Sequence, residues 1–209
     1  MTGASAPQSL VPSKELELWF EFGSNYSYLS VMRIEGLAAH AGVRLLWRPF
    51  LLGPIFKSFG WESSPFVHQA VKGAYVWKDM ERQCRKYDLK WKRPSTFPRR
   101  ALLPMRVALL GALQPWIGEF CRQVMCQNFV ADRDIDNVES ASEILAGLGL
   151  PAHEIIREAE AEPNKLRLRE QTHRAADRGV FGAPTFFVRG EMFWGNDRLD
   201  DAITFAAAD

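Results

Sequence analysis

The first pattern in the chain is an alternation of apolar and polar positions over residues 16–22, which predicts a β-strand with one deeply buried face. Over residues 26–41 the apolar positions recur at helical spacing, and Gly42 stands where a helix C-cap glycine belongs. A second strand is predicted over residues 43–47, before Pro49. Strand, helix and strand in such a short segment indicate a βαβ unit with parallel strands and a right-handed crossover.

The middle of the chain, residues 64–177, has no alternating segment but several stretches of apolar positions at helical spacing. Prolines stand near the expected first turns of successive helices, where a missing backbone N–H costs nothing. They are Pro65, Pro104, Pro115, Pro151 and Pro163. Asp136 and Glu139 have the spacing of a capping box, which begins a helix. The sequence therefore predicts an all-helical insertion over these residues.

The β pattern returns at the C-terminal end of the chain. Residues 184–188 are predicted to form a strand, Arg189 and Gly190 a turn, and residues 192–194 an antiparallel partner strand. A last helix is predicted over residues 199–206. The predicted order of elements is β, α, β, a long helical insertion, β, β, α, which belongs to the α/β class.

Composition limits the partners and the location. The 209 residues include 26 Lys and Arg against 25 Asp and Glu, so a net charge of +1 gives no general attraction to nucleic acid or to an anionic membrane. The longest apolar run is far shorter than the ~18 residues that suggest a membrane span. Three cysteines without a C-x-x-C pair favour a reducing, cytoplasmic location. Residues 1–14 are predicted to be a flexible tail and not a secretory signal.

The junction after the first strand is a candidate site. Ser24 lies between a predicted parallel strand and the next helix, where unsatisfied helix N–H groups and the positive end of the helix dipole stabilise an anion. The hydroxyls of Ser24 and Ser27 can donate to such an anion, whether it is a thiolate, a carboxylate or a phosphate. The simpler alternative is that Ser24 only caps the helix.

A second candidate feature is the segment 181–186, in which Pro184 heads a predicted buried strand. A proline cannot donate to the sheet ladder, and a cis peptide bond between Ala183 and Pro184 would expose the Ala183 backbone to a ligand. In the predicted order of elements, the start of this strand lies next to the end of the first strand. Ala183 is therefore expected close to Ser24.

These two features together resemble the thioredoxin fold. More closely, the chain resembles the 2-hydroxychromene-2-carboxylate isomerases. These enzymes belong to a group that also includes the kappa-class glutathione transferases and the Dsb-type (DsbA-like) disulfide oxidoreductases. The resemblance runs from about residue 15 to the end of the chain. It is carried by FEFGSNYSYL at residues 20–29, WRPFLLGPIF at 47–56, SPF at 64–66, KGAYVWKDMER at 72–82, GVFGAPTFFV at 179–188 and MFWGNDRL at 192–199.

The resemblance implies a thioredoxin-like α/β fold with a large all-helical insertion between its βαβ and ββα halves. Residues 15–63 and 178–209 would form the thioredoxin-like domain, and residues 64–177 the helical insertion domain. A homodimer is implied in the same way.

The resemblance also identifies the chemistry of the first candidate site. In the Dsb-type relatives, the positions of Ser24 and Ser27 hold the two cysteines of the C-x-x-C motif. Because thiol–disulfide exchange needs an attacking and a resolving thiol, two serines exclude that chemistry here. The resemblance implies instead that the Ser24 hydroxyl donates to the sulfur of bound glutathione and holds it as a thiolate, an effect that the helix N-terminus would reinforce.

Other glutathione contacts follow from the same resemblance. The Ala183 backbone, before a cis Pro184, would pair with the glutathione backbone. Asn196 and Asp197 would hold the γ-glutamyl end, where Asp197 suits an ammonium group.

Two departures from the family pattern lie near this site. Asn25 and Tyr26, directly after Ser24, are predicted to contact glutathione, but Asn25 stands where family members often have proline. Near Trp61 and Glu62, kappa-class relatives place a glutathione-contacting asparagine, and this segment contains no asparagine.

The implied reaction is a glutathione-dependent cis–trans isomerisation in aromatic hydrocarbon catabolism, from 2-hydroxychromene-2-carboxylate to trans-o-hydroxybenzylidenepyruvate. Thiolate addition, ring opening, rotation and elimination return the glutathione unchanged. The carboxylate of this small aromatic substrate needs a cation, and the candidates are Arg48, Lys57, Arg99 and Arg100. Two alternatives stay open: a kappa-like glutathione transferase or peroxidase acting on other electrophiles, and a non-catalytic thioredoxin-fold binding protein.

Basic residues cluster with two aromatic residues, Trp91 and Phe97, between Lys90 and Arg100, a pattern that can bind single-stranded nucleic acid. Because the net charge is close to zero and the cluster stands alone, a solvated loop or a guide for anionic substrates is predicted instead.

Four acids match positions of a calcium loop, namely Asp132, Asp134, Asp136 and Glu143. The sixth position, which requires glycine, is Asn137, so a loop that ends in a helix cap is predicted. The four histidines show no metal-binding spacing, and no metal is predicted.

Overall fold

The structure is a computed structural model that describes residues 14–208. The predicted tail lies outside the described residues except for Lys14. The strands are β1 (Glu15–Phe20), β2 (Arg44–Pro49), β3 (Thr185–Val188) and β4 (Glu191–Trp194). The helices are α1 (Asn25–Val31), α2 (Ile34–His40), α3 (Leu52–Ser58), α4 (Pro65–His68), α5 (Ala70–Lys86), α6 (Leu102–Gly111), α7 (Ile117–Phe129), α8 (Val138–Gly147), α9 (Ala152–Ala159), α10 (Glu162–Asp177) and α11 (Leu199–Ala207), which follows a 3₁₀ turn at Asn196–Arg198.

The strands form one mixed sheet in the order β2-β1-β3-β4. Leu18 of β1 lies opposite Trp47 of the parallel strand β2 and opposite Phe186 of the antiparallel strand β3. β4 pairs antiparallel with β3 through a tight turn in which Arg189 and Gly190 both have positive φ angles. The predicted βαβ and ββα halves are therefore confirmed.

β1 is one of the two central strands of the sheet. Leu16, Leu18 and Phe20 have no exposed surface, as the alternation predicts. Trp19, on the other face, is also only 2% exposed, because its ring packs edge-on against Phe187 at 6.2 Å between centroids. The prediction of one deeply buried face was incomplete, since residues of α3 and α10 join Trp19 in a second apolar cluster on that side.

The crossover between β1 and β2 contains two short helices and not the single helix predicted over residues 26–41. At the break, the Arg33 N–H donates to the Ser30 carbonyl at 3.1 Å, a bond to the third preceding residue that tightens the end of α1. The Arg33 guanidinium lies 3.6 Å from the centroid of the Tyr87 ring. This contact with the end of α5 is tertiary, and apolar spacing does not reveal it.

Two predictions about helix ends have different outcomes. Gly42 has a φ of 64° after α2, so its role at the C-terminus is confirmed. The predicted capping box at Asp136 is wrong. Asn137 caps α8, and its side-chain oxygen accepts from the Ser140 N–H at 2.8 Å. Asp136 instead accepts from the Leu103 N–H, at 2.7 Å, at the start of α6.

Residues 64–177 are helical, as predicted, and the structure places α4 to α10 there. Their apolar side chains extend the core of the sheet. Phe22, after β1, packs against Phe120 of α7 at 6.3 Å between ring centroids, and Tyr28 of α1 packs against Phe129 at 5.4 Å. One apolar core runs from the sheet into these helices. The division of the chain into a thioredoxin-like domain and a helical insertion domain stays a prediction.

A buried polar bridge holds the end of β1 against α7. The Asn128 side chain donates to the Phe22 carbonyl at 2.9 Å and accepts from the Arg99 guanidinium at 3.2 Å. Arg99 also donates to the Arg133 carbonyl at 2.7 Å and to Asp132 at 2.8 Å. Because Asn128 and Arg99 are both buried, these bonds fix the position at which the chain turns toward Ser24.

We expect Asn128→Leu to lower the free energy of unfolding by about 2–4 kcal/mol, because it removes two buried hydrogen bonds, one to the Phe22 carbonyl and one from the Arg99 guanidinium. Urea unfolding followed by circular dichroism measures the loss. Gln123→Leu, on the exposed side of α7, is the matched control, with an expected change of less than about 0.5 kcal/mol. Equal stability of the two variants would contradict the role of the bridge.

Candidate active site

Ser24 joins the two candidate features predicted from the sequence. It is the N-cap residue of α1, and its hydroxyl oxygen accepts from the Ser27 N–H at 3.2 Å. The same hydroxyl donates to the Ala183 carbonyl at 2.8 Å. Ser24 therefore does cap the helix, as the simpler alternative states, and it also contacts Ala183, as the order of elements predicts.

The segment around Ala183 has the backbone geometry expected for it. The Ala183–Pro184 peptide bond is cis, as predicted. The strand begins one residue later than predicted, at Thr185, whose hydroxyl donates to the Gly182 carbonyl at 2.9 Å. The Pro184 carbonyl accepts from the Gly195 N–H at 3.0 Å, which ties this segment to the end of β4.

Asn196 and Asp197 follow Gly195, whose φ of 106° is accessible to glycine. A side chain at that position would also lie 2.5 Å from the Asp197 carboxylate. Asn196 is buried, and its side-chain oxygen accepts from the Ser30 hydroxyl at 3.1 Å. Asp197 is 74% exposed at its side chain and lies 3.5 Å from the Arg198 guanidinium.

A single cavity of about 1390 Å³ connects these segments. Six of the seven predicted site residues line it, namely Ser24, Asn25, Tyr26, Ala183, Asn196 and Asp197. The seventh, Pro184, does not line it. The volume exceeds the roughly 300–1,000 Å³ of an ordinary ligand pocket.

The residues after Ser24 differ in how they are held. Asn25 is 1% exposed, and its side-chain nitrogen makes no hydrogen bond within residues 14–208. The Tyr26 hydroxyl donates to Asp79 of α5 at 2.7 Å, and burial together with this bond raises the pKa of Tyr26. Ser27 has no exposed surface and does not line the cavity. The Tyr26–Asp79 contact joins segments too far apart for sequence spacing to predict it.

The structure distinguishes two of the four candidate cations, Arg48 and Lys57, by whether they can reach a ligand in the cavity. Arg48 lies 3.1 Å from Glu17 and does not line the cavity. Lys57, at the end of α3, lines the cavity with an exposed side chain and makes no ion pair with the described residues. Lys57 is thus available to an anionic ligand, whereas Arg48 is not.

The other two candidate cations line the cavity but already have acidic partners. Arg99 is only 8% exposed, and its guanidinium lies 2.8 Å from Asp132. Arg100 is 77% exposed at its side chain, and its Nε lies 2.9 Å from Asp136. The prediction of a solvated loop over residues 90–100 is wrong for Arg99, because its ion pair holds the segment to the loop before α8.

The acids of the calcium-like pattern have protein partners. Asp134 accepts from the Asp136 N–H at 3.1 Å, and Glu143 pairs with Arg133 at 2.6 Å. The loop ends at the Asn137 cap, as predicted. In the part of the chain that the structure describes, no group of three His, Cys, Asp or Glu side chains is placed to hold a metal ion. Nor is any helix there both long and apolar enough to cross a membrane.

None of the chain's three cysteines lines the cavity. Burial raises the pKa of the Cys84 thiol to about 11 and also raises the pKa values of Cys121 and Cys126. Thiols with raised pKa values are poor nucleophiles at neutral pH. A sulfur nucleophile in this cavity must therefore come from a ligand.

Exposed aromatic side chains border the cavity on two sides. Phe181 and Trp194 are 40% and 51% exposed, with ring centroids 4.7 Å apart. On another wall, Trp61 packs against Phe56 and Phe59, with centroids 5.9 and 5.7 Å apart. Such surfaces suit a flat, apolar ligand.

Sequence reasoning missed two acidic residues of the cavity, Asp79 and Glu21. The alternating pattern continues to Phe22, but β1 ends at Phe20, so Glu21 lies in the turn before Ser24 and lines the cavity. The only sequence signal for this position is Gly23, because glycine at the end of a strand marks a close turn.

The comparison with protein families identifies the domain. Residues 15–204 match the model of the DSBA-like thioredoxin domain. The chain belongs to the DSBA-like thioredoxin family. Its thioredoxin-like fold class, predicted from the sequence, is thereby confirmed.

Curated relatives of this DSBA-like protein include 2-hydroxychromene-2-carboxylate isomerases and a kappa-class glutathione transferase. The 2-hydroxychromene-2-carboxylate isomerase of Sphingobium xenophagum is 29% identical over 194 residues, which cover 90% of this chain and 95% of the relative. That of Pseudomonas sp. (strain C18) is 30% identical, with 88% and 86% covered. Glutathione S-transferase kappa 1 of Rattus norvegicus is 26% identical, with 88% and 87% covered. The predicted resemblance is confirmed, and this DSBA-like protein is an isomerase.

Solved structures show the same DSBA-like architecture. A 2-hydroxychromene-2-carboxylate isomerase superposes with a TM-score of 0.83 at 23% identity, covering 91% of this chain and 93% of its own. A probable DsbA oxidoreductase of Streptomyces coelicolor gives 0.69 at 19%, with 92% and 89% covered. The cytosolic disulfide reductase DsbM of Pseudomonas aeruginosa, solved with GSH, gives 0.57 at 15%, with 91% and 96% covered.

Ser24→Ala should lower the free energy of unfolding by about 1–2 kcal/mol, because it removes both the α1 cap and the bond to Ala183. Urea unfolding measures the change. Asn137→Ala, which removes only a helix cap, is the control and should cost about 1 kcal/mol or less. A Ser24→Ala protein as stable as the wild type would show that the two bonds contribute nothing.

Proposed function

We propose that the protein is a glutathione-dependent isomerase that converts 2-hydroxychromene-2-carboxylate to trans-o-hydroxybenzylidenepyruvate. The observation that carries the proposal is that Ser24, Ala183 and Asp197, from separate segments of the chain, line one cavity. The isomerase relatives supply the reaction type. The absence of a cysteine from this cavity's lining supports a reaction that uses a sulfur brought by the cofactor.

The residues present fit glutathione. The cavity offers the hydroxyl of Ser24, the backbone of Ala183, the side chain of Asn196 and the exposed carboxylate of Asp197. The buried side-chain nitrogen of Asn25, without a partner in residues 14–208, is a further donor beside Ser24. This set matches a tripeptide that carries a thiol, an ammonium group and carboxylates. Bound glutathione supplies the sulfur that adds to the conjugated substrate and leaves again, so no net oxidation or reduction occurs.

Ser24 would hold that sulfur as a thiolate. Its hydroxyl proton is directed to the Ala183 carbonyl, and the Ser27 N–H fixes the oxygen from the other side. A rotation of the hydroxyl proton suffices to direct it to a sulfur in the cavity, without movement of the oxygen. The first N–H groups of α1 add positive potential at the same place.

Asn196 and Asp197 would bind the γ-glutamyl end. Asn196 is fixed by its bond to Ser30, and Asp197 presents a carboxylate that can accept from an ammonium group. The hydroxyl of Tyr26 is hydrogen-bonded to Asp79, which fixes the orientation of the Tyr26 ring. We propose that this ring forms the part of the cavity wall next to Ser24.

Lys57 would bind the substrate carboxylate. Of the four candidate cations, it is the one that lines the cavity and lacks an acidic partner among the described residues. The aromatic side chains of Trp61 and Trp194 would contact the ring system of the substrate. By resemblance, we further propose a homodimer. The three cysteines, none of them in a disulfide, support a cytoplasmic location.

For wild-type protein, glutathione should raise the melting temperature, because a ligand that binds only the folded state stabilises it.

Ser24→Ala should stay folded but lose about 10²–10³-fold in kcat for chromene carboxylate isomerisation, the usual cost of removing one donor to a developing anion. Absorbance of the substrate with and without glutathione measures the rate.

Ser142→Ala, a serine of α8 outside the cavity, serves as the control with unchanged turnover. Unchanged turnover in Ser24→Ala would contradict the role of the hydroxyl. Consumption of glutathione, instead of its return, would show a kappa-like transferase.

Lys57→Met should raise KM for the chromene carboxylate by about 10- to 100-fold with little change in kcat, because it removes a charged hydrogen bond made in both ground and transition states. Steady-state kinetics at saturating glutathione test this. Arg48→Gln, at the cation paired with Glu17 outside the cavity, should leave KM unchanged. A KM that responds to Arg48→Gln but not to Lys57→Met would refute this assignment.

A further inference from the structure

Glu21 is an acidic residue of the cavity lining, and it lies in the turn that leads from β1 to Ser24. The Ser24 N–H donates to the Glu21 backbone carbonyl at 3.1 Å, which closes the turn between these two residues. A methyl group added to Gly23 would lie 3.2 Å from a carboxylate oxygen of Glu21 and 2.8 Å from the Arg99 carbonyl. The carboxyl group is therefore confined next to the Gly23 peptide, one residue before Ser24.

The charges around Glu21 favour a bound proton. Within residues 14–208 no cation forms an ion pair with Glu21. Arg99 and Arg100, which also line the cavity, are paired with Asp132 and Asp136. Burial is the largest effect and raises the pKa of Glu21 to about 7; a backbone N–H opposes it, and repulsion by Asp136 adds to it. Glu21 can therefore gain or lose a proton near neutral pH.

Other acids of the cavity are less suited to take a proton beside Ser24. Asp79 accepts the hydroxyl of Tyr26 at 2.7 Å. Asp197 is 74% exposed and has a cationic neighbour, and Glu62 is also exposed, so water solvates both carboxylates. No histidine lines the described cavity.

We infer that Glu21 is the base that accepts the thiol proton of glutathione when the sulfur binds at Ser24, an inference that rests on the proposed function. The S–H bond breaks, its electron pair stays on the sulfur, and the proton forms an O–H bond with the Glu21 carboxylate. The total charge of the site does not change, so a thiolate forms without bringing net charge into a partly buried cavity. The neutral carboxyl no longer repels the thiolate, to which Ser24 can then donate.

The inference specifies how many protons leave the protein when glutathione binds in the absence of substrate. Calorimetry in buffers of different ionisation enthalpy counts these protons, and ultraviolet absorbance counts the thiolate that forms. At about pH 8, above the Glu21 pKa of about 7, the wild type should form thiolate with almost no proton released, after correction for ionised free glutathione. At about pH 6, where Glu21 is already protonated, about one proton should leave per thiolate.

Glu21→Gln removes the acceptor while keeping the size of the side chain. At about pH 8 it should release about one proton per thiolate. Glu62→Gln, at the exposed acid of the same cavity, is the matched control and should release as few protons as the wild type.

Equal proton release by wild type and Glu21→Gln at about pH 8, with thiolate formed in both, would overturn the role of Glu21 and leave the proposed function intact. Failure of the wild type to bind glutathione would overturn both. If Glu21→Gln does not fold, the wild type alone decides, because release of about one proton per thiolate on both sides of pH 7 excludes uptake by Glu21.

Discussion

The hydrogen bond from the Ser24 hydroxyl to the Ala183 carbonyl is the contact on which the site depends. It joins residues 159 positions apart in the sequence and therefore connects the βαβ half of the core to the ββα half. β1 lies between β2 and β3, so its end comes directly beside the start of β3. Asn128 of the helical insertion donates to the Phe22 carbonyl, so this part of the chain also holds the segment before Ser24 in place. A hydroxyl group is thus held at a defined position in the cavity wall by all parts of the fold.

The chemistry of the cavity follows from which polar groups have partners and which do not. Arg99 and Arg100 face it but are paired with acids, whereas Lys57 is exposed without an acidic partner among the described residues. Glu21 lines the same cavity as Ser24 and forms no ion pair within residues 14–208. Beside Ser24, such a cavity favours a neutral acid that gives up its proton as it binds, because a group that arrives already negatively charged would be repelled by the ionised Glu21 carboxylate. A thiol has this property.

Much of this arrangement could be predicted from the sequence, because periodicity and connection rules determine which strand ends meet. The contact of Ser24 with Ala183 followed from the order of elements alone. Features that depend on tertiary contacts were not predictable. The predicted first helix is interrupted between Val31 and Ile34, and Arg33 in the gap contacts Tyr87. Asp136 accepts a hydrogen bond at the start of α6 instead of forming a capping box. Alternating hydrophobicity also cannot show where a strand stops being paired, which is why Glu21 was missed.

The most direct test of the account is the position of the glutathione sulfur in a crystal structure of the complex. The account predicts that this sulfur lies within hydrogen-bond distance of the Ser24 hydroxyl, with the peptide backbone of glutathione along Ala183. Glutathione bound elsewhere, or in the cavity with its sulfur directed away from Ser24, would contradict it.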